Sequence, residues 1–490
     1  MPKTPKTDTV QDFKPAETVT AMMLTLVLLA GLWYSGIPKV YGIFIALAVL
    51  IVSGEAILSL NNFPRVFRGA YMARSSIGLG LMDGLAKSNR WFWEGLADWG
   101  LVLGFGIFSI FLFKKDISKK MVALGVLSIL FILIFILPYT VLPFAYVNIY
   151  QITDRIRGLA PASPLSSIDT MQVGLYALSV AGGFVLYTIA SLFYGAALAV
   201  YGILLVAVTA LTSTPNYSGL GNSIPGVAPI IPGITIPLIP GLLAFALLLI
   251  VHEFSHGILA RIEKIKVKSS GILAFGLIPI GAFVEPDEKA IGRLSGKLQN
   301  RISAAGISAN MLLCLIMFIP MFIMFYTVMP HTPQNYMYIS YVVPNSPAYL
   351  ANVVPGSAIL KWNGYNISGP SDIAVAAKID KPNSVVGLVT NTSTYSIIAN
   401  RTGKIGVGID IASKLAGPSP GPIISFLYAF FALSFLLNFL IAAVNLLPIP
   451  SFDGWRIFNT SIKSKKTMSR ITWLVILLFV LNALPWIWNL

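Results

Sequence analysis

The stretch Leu247–Ala260, LLLIVHEFSHGILA, decides how the rest of the chain is read. It is apolar at both ends and carries His252, Glu253 and His256 at its centre. On a helix, positions i and i+4 lie on one face. His252 and His256 can therefore offer two imidazoles to one metal ion, with Glu253 beside them to handle a proton. Two helix-face histidines making ordinary hydrogen bonds are the plainer alternative. Against it, an ionisable group at bilayer depth costs roughly 2.5–3.5 kcal/mol or more, so such groups are seldom kept without use. The chain has three histidines, and two of them are spent here.

The surroundings are those of a membrane protein. Of 490 residues 56% are hydrophobic and 11% charged, where a soluble domain carries about a quarter charged. Candidate spans are Thr18–Gly36, Val40–Leu60, Leu101–Phe113, Met121–Ala145, Gln172–Leu211, Leu242–Ala260, Ser303–Met329, Pro422–Leu446 and Ile471–Leu490. Leu101–Phe113 is short for a crossing. Gln172–Leu211 has the length for two, with Gly182-Gly183 or Gly195 as break points. An α-helical polytopic protein of about nine or ten spans is expected. The formal net charge of +15 is assigned to loops on the inner face rather than to nucleic acid. The single cysteine, Cys314, excludes a disulfide within the chain. Met1–Pro15 lacks a signal-peptide cleavage pattern, so no processing is expected there.

Charge sets the orientation. No Asp, Glu, Lys or Arg falls between Asp169 and Glu253, so Ser213–Pro240 reads as an outer loop. Arg261, Lys264, Lys266, Lys268, Lys289, Arg293, Lys297 and Arg301 follow the histidine motif and read as inner, as do Arg456, Lys463, Lys465, Lys466 and Arg470. His331–Gly421 is then outside. Within it, Tyr336–Ser413 has short apolar runs and frequent turn signals (Pro355-Gly356, Asn363-Gly364, Gly369-Pro370), the pattern of a small β-rich insert. Ile272–Val284 is apolar but broken by Gly276, Pro279 and Gly281, which suits a membrane-dipping hairpin better than a helix.

A catalytic zinc site needs a third protein ligand and an open position for water. No Glu occurs after Glu288, and the later aspartates are Asp372, Asp380, Asp410 and Asp453. The first three fall in the insert. Asp453 adjoins a span, in Asn445–Trp455, NLLPIPSFDGW, where Pro448 and Pro450 stop the helix. Irregular backbone at membrane depth is tolerated where it is buried or lines a wet cavity. Asp453 is thus the preferred third ligand, with Cys314 and His331 as weaker candidates.

HEFSH at 252–256, followed by Asn445, Pro448, Pro450, Asp453 and Gly454 in an N-x-x-P-x-P-x-x-D-G pattern, resembles the site-2 protease family of intramembrane zinc metalloproteases. The resemblance runs from about Leu242 to Leu490. FGLIPIGAFVEPDE (Phe275–Glu288) looks like the family's segment after the motif. AAGISAN (Ala304–Asn310) is close to its A-G-P-x-x-N, with Ile307 in place of proline, and Trp455 replaces a common second glycine. PNSPAYLANVVPGSAILKWNGYNI (Pro344–Ile367) resembles a PDZ domain, a fold that binds extended peptides by strand addition.

The expected division is an N-terminal multi-span region of unknown role (1–214), an outer loop (215–241), the zinc-site helix, dipping segment and following span (242–330), the outer PDZ-like insert (331–420) and C-terminal core spans with the third ligand (421–490). The resemblance implies one catalytic Zn²⁺ on His252, His256 and Asp453, with Glu253 as general base. Asn310 and Asn445 are candidates for holding substrate or oxyanion, or else interhelical hydrogen-bonding residues. The expected partner is a membrane protein with a transmembrane helix, met in the lipid bilayer of the cell membrane, with peptide binding or shielding by the insert and no role for nucleic acid. Two rivals stand beside this reading. One is a metalloprotease that trims prenylated C-termini, which takes a downstream glutamate ligand that this chain lacks after Glu288. The other is a non-catalytic receptor or chaperone binding peptides through its outer domain.

Overall fold

The computed structural model describes residues 14–37, 39–113, 116–141, 170–212, 230–233, 235–327, 332–378, 380–416 and 421–488. In hydrocarbon an apolar stretch can satisfy its N–H and C=O groups only internally, so the long apolar runs wind into helices. These are α1 (Pro15–Tyr34), α2 (Lys39–Leu60), α4 (Arg90–Phe105), α5 (Lys119–Phe131), α6 (Thr170–Thr212), α7 (Leu238–Ile262), α8 (Gly296–Thr327), α9 (Pro422–Asn445) and α11 (Lys465–Trp488). Two shorter helices join them, α3 (Leu79–Ser88) and α10 (Asp453–Ser461). Among the described residues, eight helices are long and apolar enough to cross a bilayer, and α2 adds a shorter apolar stretch, Ile45–Leu60. Eight of the expected nine or ten spans are thus found among the described residues. Most of the expected outer loop 215–241 lies outside the described residues.

One span is longer than its sequence reading, and another is kinked where the sequence allows it. The run expected at Leu101–Phe113 begins at Arg90 and extends to Leu112, 23 residues in all. Its first turns carry Arg90, Glu94 and Asp98, which interrupt the apolar pattern but are paired in the fold. Gln172–Leu211 lies in two helical pieces that meet at a kink, at the first of the break points the sequence offers. The break is at Gly182 and Gly183, where φ of Gly183 is +65°. The piece before it, Thr170–Ala181, reaches only about 18 Å at the α-helical rise, short of a roughly 30 Å hydrocarbon core. Gly183 is required there, because a Cβ would run into the backbone of Gly104 and Phe105.

Ile272–Val284 is a hairpin, as its glycines and proline suggest. β3 (Val267–Phe275) and β4 (Ile278–Pro286) are antiparallel, joined by a turn with Gly276 at φ +59°. The hairpin is half of a larger sheet. β1 (Arg65–Phe67) and β2 (Ala70–Ser75), from the N-terminal region, extend it in the order β1-β2-β3-β4. β2 pairs with β3 from Ala70↔Phe275 to Ser75↔Ser270. The hairpin tip rests on α2: the Leu277 amide donates to the Leu50 carbonyl at 3.1 Å, and a Cβ on Gly54 would strike the backbone of Gly276 and Leu277.

Between α8 and α9 lies a small β-rich unit with its own apolar core of Ile339, Trp362, Val386, Leu388 and Ile397. β5 (Thr332–Val342) pairs with β10 (Val407–Ala416). β6 (Ile359–Trp362), β7 (Tyr365–Asn366), β8 (Val385–Thr390) and β9 (Thr394–Ile398) form a second sheet in the order β7-β6-β8-β9. Asn363 and Gly364 both take positive φ, +48° and +86°, which is what a two-residue hairpin turn requires.

Gly54→Val is expected to lift the hairpin tip from α2. Hydrogen exchange at the Leu277 amide should accelerate by at least about tenfold, the equivalent of the roughly 1.4 kcal/mol that a hydrogen bond in a dry setting contributes. Unchanged protection there would show that the glycine contact does not hold the tip.

Candidate metal centre

α7 starts after Pro237, and Pro240 falls in its first turn, where a missing N–H costs nothing. Its apolar sequence keeps it helical through Ile262 and sets His252 and His256 on one face, both largely buried. Asp453 arrives from the other end of the core. α9 ends at Asn445, and Pro448 and Pro450 forbid its continuation. The chain turns sharply, with Ser451 at φ +78°, and restarts as α10 at Asp453. Gly454 lets this restart lie against the end of α9, because a Cβ there would strike the Leu446 carbonyl.

The three ligand atoms converge. Asp453 Oδ2 is 3.2 Å from His252 Nε2 and 3.2 Å from His256 Nε2, and the two Nε2 atoms are 3.2 Å apart. Among the described residues these three form the one group of His, Cys, Asp or Glu side chains close enough to share an ion. An equilateral triangle of that edge is one face of a tetrahedron whose centre is roughly 2.0 Å from each corner, within the Zn–N and Zn–O range. Asp453 Oδ2 is buried without a hydrogen-bond donor. His256 Nδ1 lies 2.7 Å from the Ile302 carbonyl. A carbonyl can only accept, so Nδ1 carries a proton, and in the neutral ring Nε2 is then left with a lone pair directed at the carboxylate. Lone pairs facing one another at this distance repel unless a proton or a metal ion lies between them, and one ion can serve all three atoms at once. The donor set therefore fits a single zinc ion held by three protein ligands.

α8 supplies the support behind the ligands. Ile302, Gly306 and Asn310 lie four residues apart on one face of it. Asn310 is fully buried, its carboxamide nitrogen 3.1 Å from His252 Nδ1 and its Oδ1 without a partner. The two ends of a carboxamide are alike in shape. With Oδ1 turned toward the ring, Asn310 accepts Nδ1–H and leaves the His252 Nε2 lone pair for the ion. Asn310 thus sits on a ligand rather than facing open space. Gly306 lies between, and a Cβ on it would come within 2.5 Å of His252 Cε1 and His256 Nε2. Glu253 is half-buried beside the trio, its Oε2 accepting the Val284 N–H of β4 at 3.1 Å. Asn445 is half-buried at the last residue of α9. Cys314 is buried within the core and outside the trio, and His331 lies outside the described residues.

Three contributors escaped the sequence reading. Ile302 and Val284 act through backbone atoms, which leave no mark in a sequence. Gly306 did leave one, the run of small residues in AAGISAN.

A model of peptidase family M50 matches residues 240–485, just over half of the chain. The chain belongs to peptidase family M50. The match takes in α7 through most of α11 and so both halves of the trio. An uncharacterized protein of Methanocaldococcus jannaschii is 32% identical over 231 residues, 46% of this chain and 58% of that one. A Clostridium perfringens protein named "Putative zinc metalloprotease" is 30% identical over 203 residues, 36% of this chain and 58% of that one. A Clostridium acetobutylicum protein of the same description is 22% identical over 180 residues, 32% of this chain and 51% of that one. The chain spans a little over half the length of these curated relatives.

Gly306→Ala is expected to lower the zinc content of the purified protein by about tenfold or more, on the scale of losses seen when support behind metal ligands is disturbed. Helix content by circular dichroism should stay as in the wild type. Full zinc occupancy in the variant would mean that α8 can back away and that the cradle is not tight.

Proposed function

We propose that this M50 protein is an integral-membrane zinc endopeptidase that cleaves transmembrane segments of single-span proteins. The observation carrying the proposal is the 3.2 Å triangle of His252 Nε2, His256 Nε2 and Asp453 Oδ2, with Glu253 adjacent on the same helix. His252, His256 and Asp453 hold the ion. Zinc held there acts as a Lewis acid, polarising the scissile carbonyl and lowering the pKa of water toward neutrality.

The rest of the chemistry belongs to the chain. Glu253 takes the proton from the attacking water and returns it to the departing amine, so the peptide bond is exchanged for a new carboxylate and a new amine. The Val284 N–H holds one carboxylate oxygen of Glu253 and leaves the other free for that traffic. Ile302 and Asn310 keep the imidazole rings turned to the ion. Asn445 is the remaining candidate for steadying the substrate or its oxyanion.

A transmembrane helix shields its own carbonyls by hydrogen bonding, so a substrate must unwind before attack. β4 is one of the two edge strands of the four-stranded sheet, and it passes Glu253 at Val284. An unwound substrate can add to that edge as a further strand, exchanging its helical hydrogen bonds for ladder ones. The insert is proposed as a PDZ-like unit on the outer side of the cell membrane, where it screens or recognises the part of the substrate that emerges. Its separate apolar core and its two-sheet build are what support this reading.

Glu253→Gln should keep zinc but slow cleavage of a single-span reporter by about 10²- to 10⁴-fold, the usual contribution of a positioned acid–base group. Asp453→Ala should lose the metal. A receptor or chaperone needs neither group, so undiminished function in both variants would favour that alternative. Retained zinc in Asp453→Ala would point to another third ligand.

A further inference from the structure

The N-terminal region outside the family match contains a cluster of charges that the chemistry above does not use. Arg90, Glu94 and Asp98 lie four residues apart on one face of α4, inside a candidate span. They meet Arg301 of α8. Its guanidinium grips Asp98 with two bonds, Nε to Oδ1 at 2.7 Å and Nη2 to Oδ2 at 2.6 Å, while Nη1 reaches Glu94 Oε2 at 2.8 Å. The Arg301 and Asp98 side chains are only 11% and 12% exposed. Arg90 pairs with Glu94 and also lies 3.4 Å from Glu263, at the C-terminal end of α7. α4 is thereby tied to α7, which carries the two histidines, and to α8, which backs them. Further along, Gly100 lies against Ser308 so closely that a Cβ would meet its hydroxyl.

Arg301 directly precedes Ile302, whose carbonyl receives the His256 Nδ1–H. A bidentate arginine–carboxylate pair fixes the plane of the guanidinium as well as its distance, which a point charge cannot do. We propose that Glu94, Asp98 and Arg301 are positioning residues of the metal centre: their ion triad locks the turn of α8 that offers the Ile302 carbonyl to His256. α4, although outside the matched family region, is on this reading part of the catalytic core. The proposal rests on His256 being a metal ligand. Simple helix-to-helix attachment would explain the pairing but gives no reason for the fork to close on the residue next to the carbonyl.

The full-length protein in lipid nanodiscs is the material for the test, with Asp98→Asn, Glu94→Gln, Arg301→Lys and the exchange Asp98→Arg with Arg301→Asp. Arg65→Gln, which opens the exposed Arg65–Glu55 pair, is the control. Zinc itself, competed against a chelator, is the first probe. Asp98→Asn and Arg301→Lys should weaken its binding by about tenfold, the lower end for outer-sphere partners of metal ligands. Arg65→Gln should not change it, and the exchange should restore most of it. The second probe is ¹⁵N NMR of labelled histidine, which reports the Nδ1–H of His256 without any metal. It should broaden or move toward the other tautomer in Asp98→Asn. Lower melting temperatures with wild-type zinc affinity and a wild-type Nδ1–H signal would overturn the proposal and leave the triad as attachment alone. Absence of zinc binding in the wild type would instead overturn the ligand assignment, and the NMR readout would still judge the triad.

Discussion

With no side chain at Gly306, the backbone of α8 runs directly beneath the two imidazoles of α7. That approach sets much of the centre. It brings the Ile302 carbonyl within reach of His256 and Asn310 within reach of His252, so both rings are held by their Nδ1 atoms and turned with Nε2 outward. It also holds the helices close enough for Asp453, entering on α10, to complete a triangle with equal edges. Each imidazole is thus constrained from behind before any ion arrives, which reduces the ordering cost of binding one. A larger residue at 306 would separate the helices and release both rings together.

The second constraint is the cost of charge in hydrocarbon. Glu94, Asp98 and Arg301 would each be expensive alone within a span. They are tolerated because each meets an opposite charge with directed hydrogen bonds and little exposure. Such a group is permissible only while the helices stay in register, since separating them strands a buried charge. The same logic applies on a smaller scale to Asn482, whose carboxamide nitrogen donates to the Leu192 carbonyl of α6 and joins α11 to it. Polar side chains inside the bundle act as register marks between helices that apolar packing alone would leave free to slide.

What the sequence disclosed follows from how locally each feature is written. The spacing in HEFSH, the prolines before Asp453 and the shortage of later acidic residues are all visible in one dimension, and the structure brings those residues to one point. The hairpin was visible as well, because Gly276, Pro279 and Gly281 cannot sit comfortably in a helix. The addition of β2 to that hairpin was not, since Ala70–Ser75 finds its partner far along the chain at Ser270–Phe275. The start of α4 was hidden for a related reason. Arg90, Glu94 and Asp98 look like the end of a membrane run until Arg301 and Glu263 are seen beside them. The long apolar run Gln172–Leu211 disclosed both its length and a break point at Gly182-Gly183, and the chain kinks there.

The β2 pairing bears on the proposed chemistry. A two-stranded hairpin in a low-dielectric setting has two unsatisfied edges, and either can take a substrate strand. β2 covers the β3 edge, and α2 holds the tip through the Leu50 carbonyl. Among the described strands β4 is then the edge of this sheet on the side of α7, and its Val284 N–H donates to Glu253. On the proposed reading, a strand added to β4 arrives next to the general base in a single register direction, because strand pairing fixes which carbonyls point toward the partner. The N-terminal region thereby bears on cleavage from two sides. On the two proposals, its β2 leaves the β4 edge of the hairpin for the substrate, and its α4 steadies the helix behind the histidines. Neither contribution touches the ion, which is why a motif search centred on the ligands passes over both.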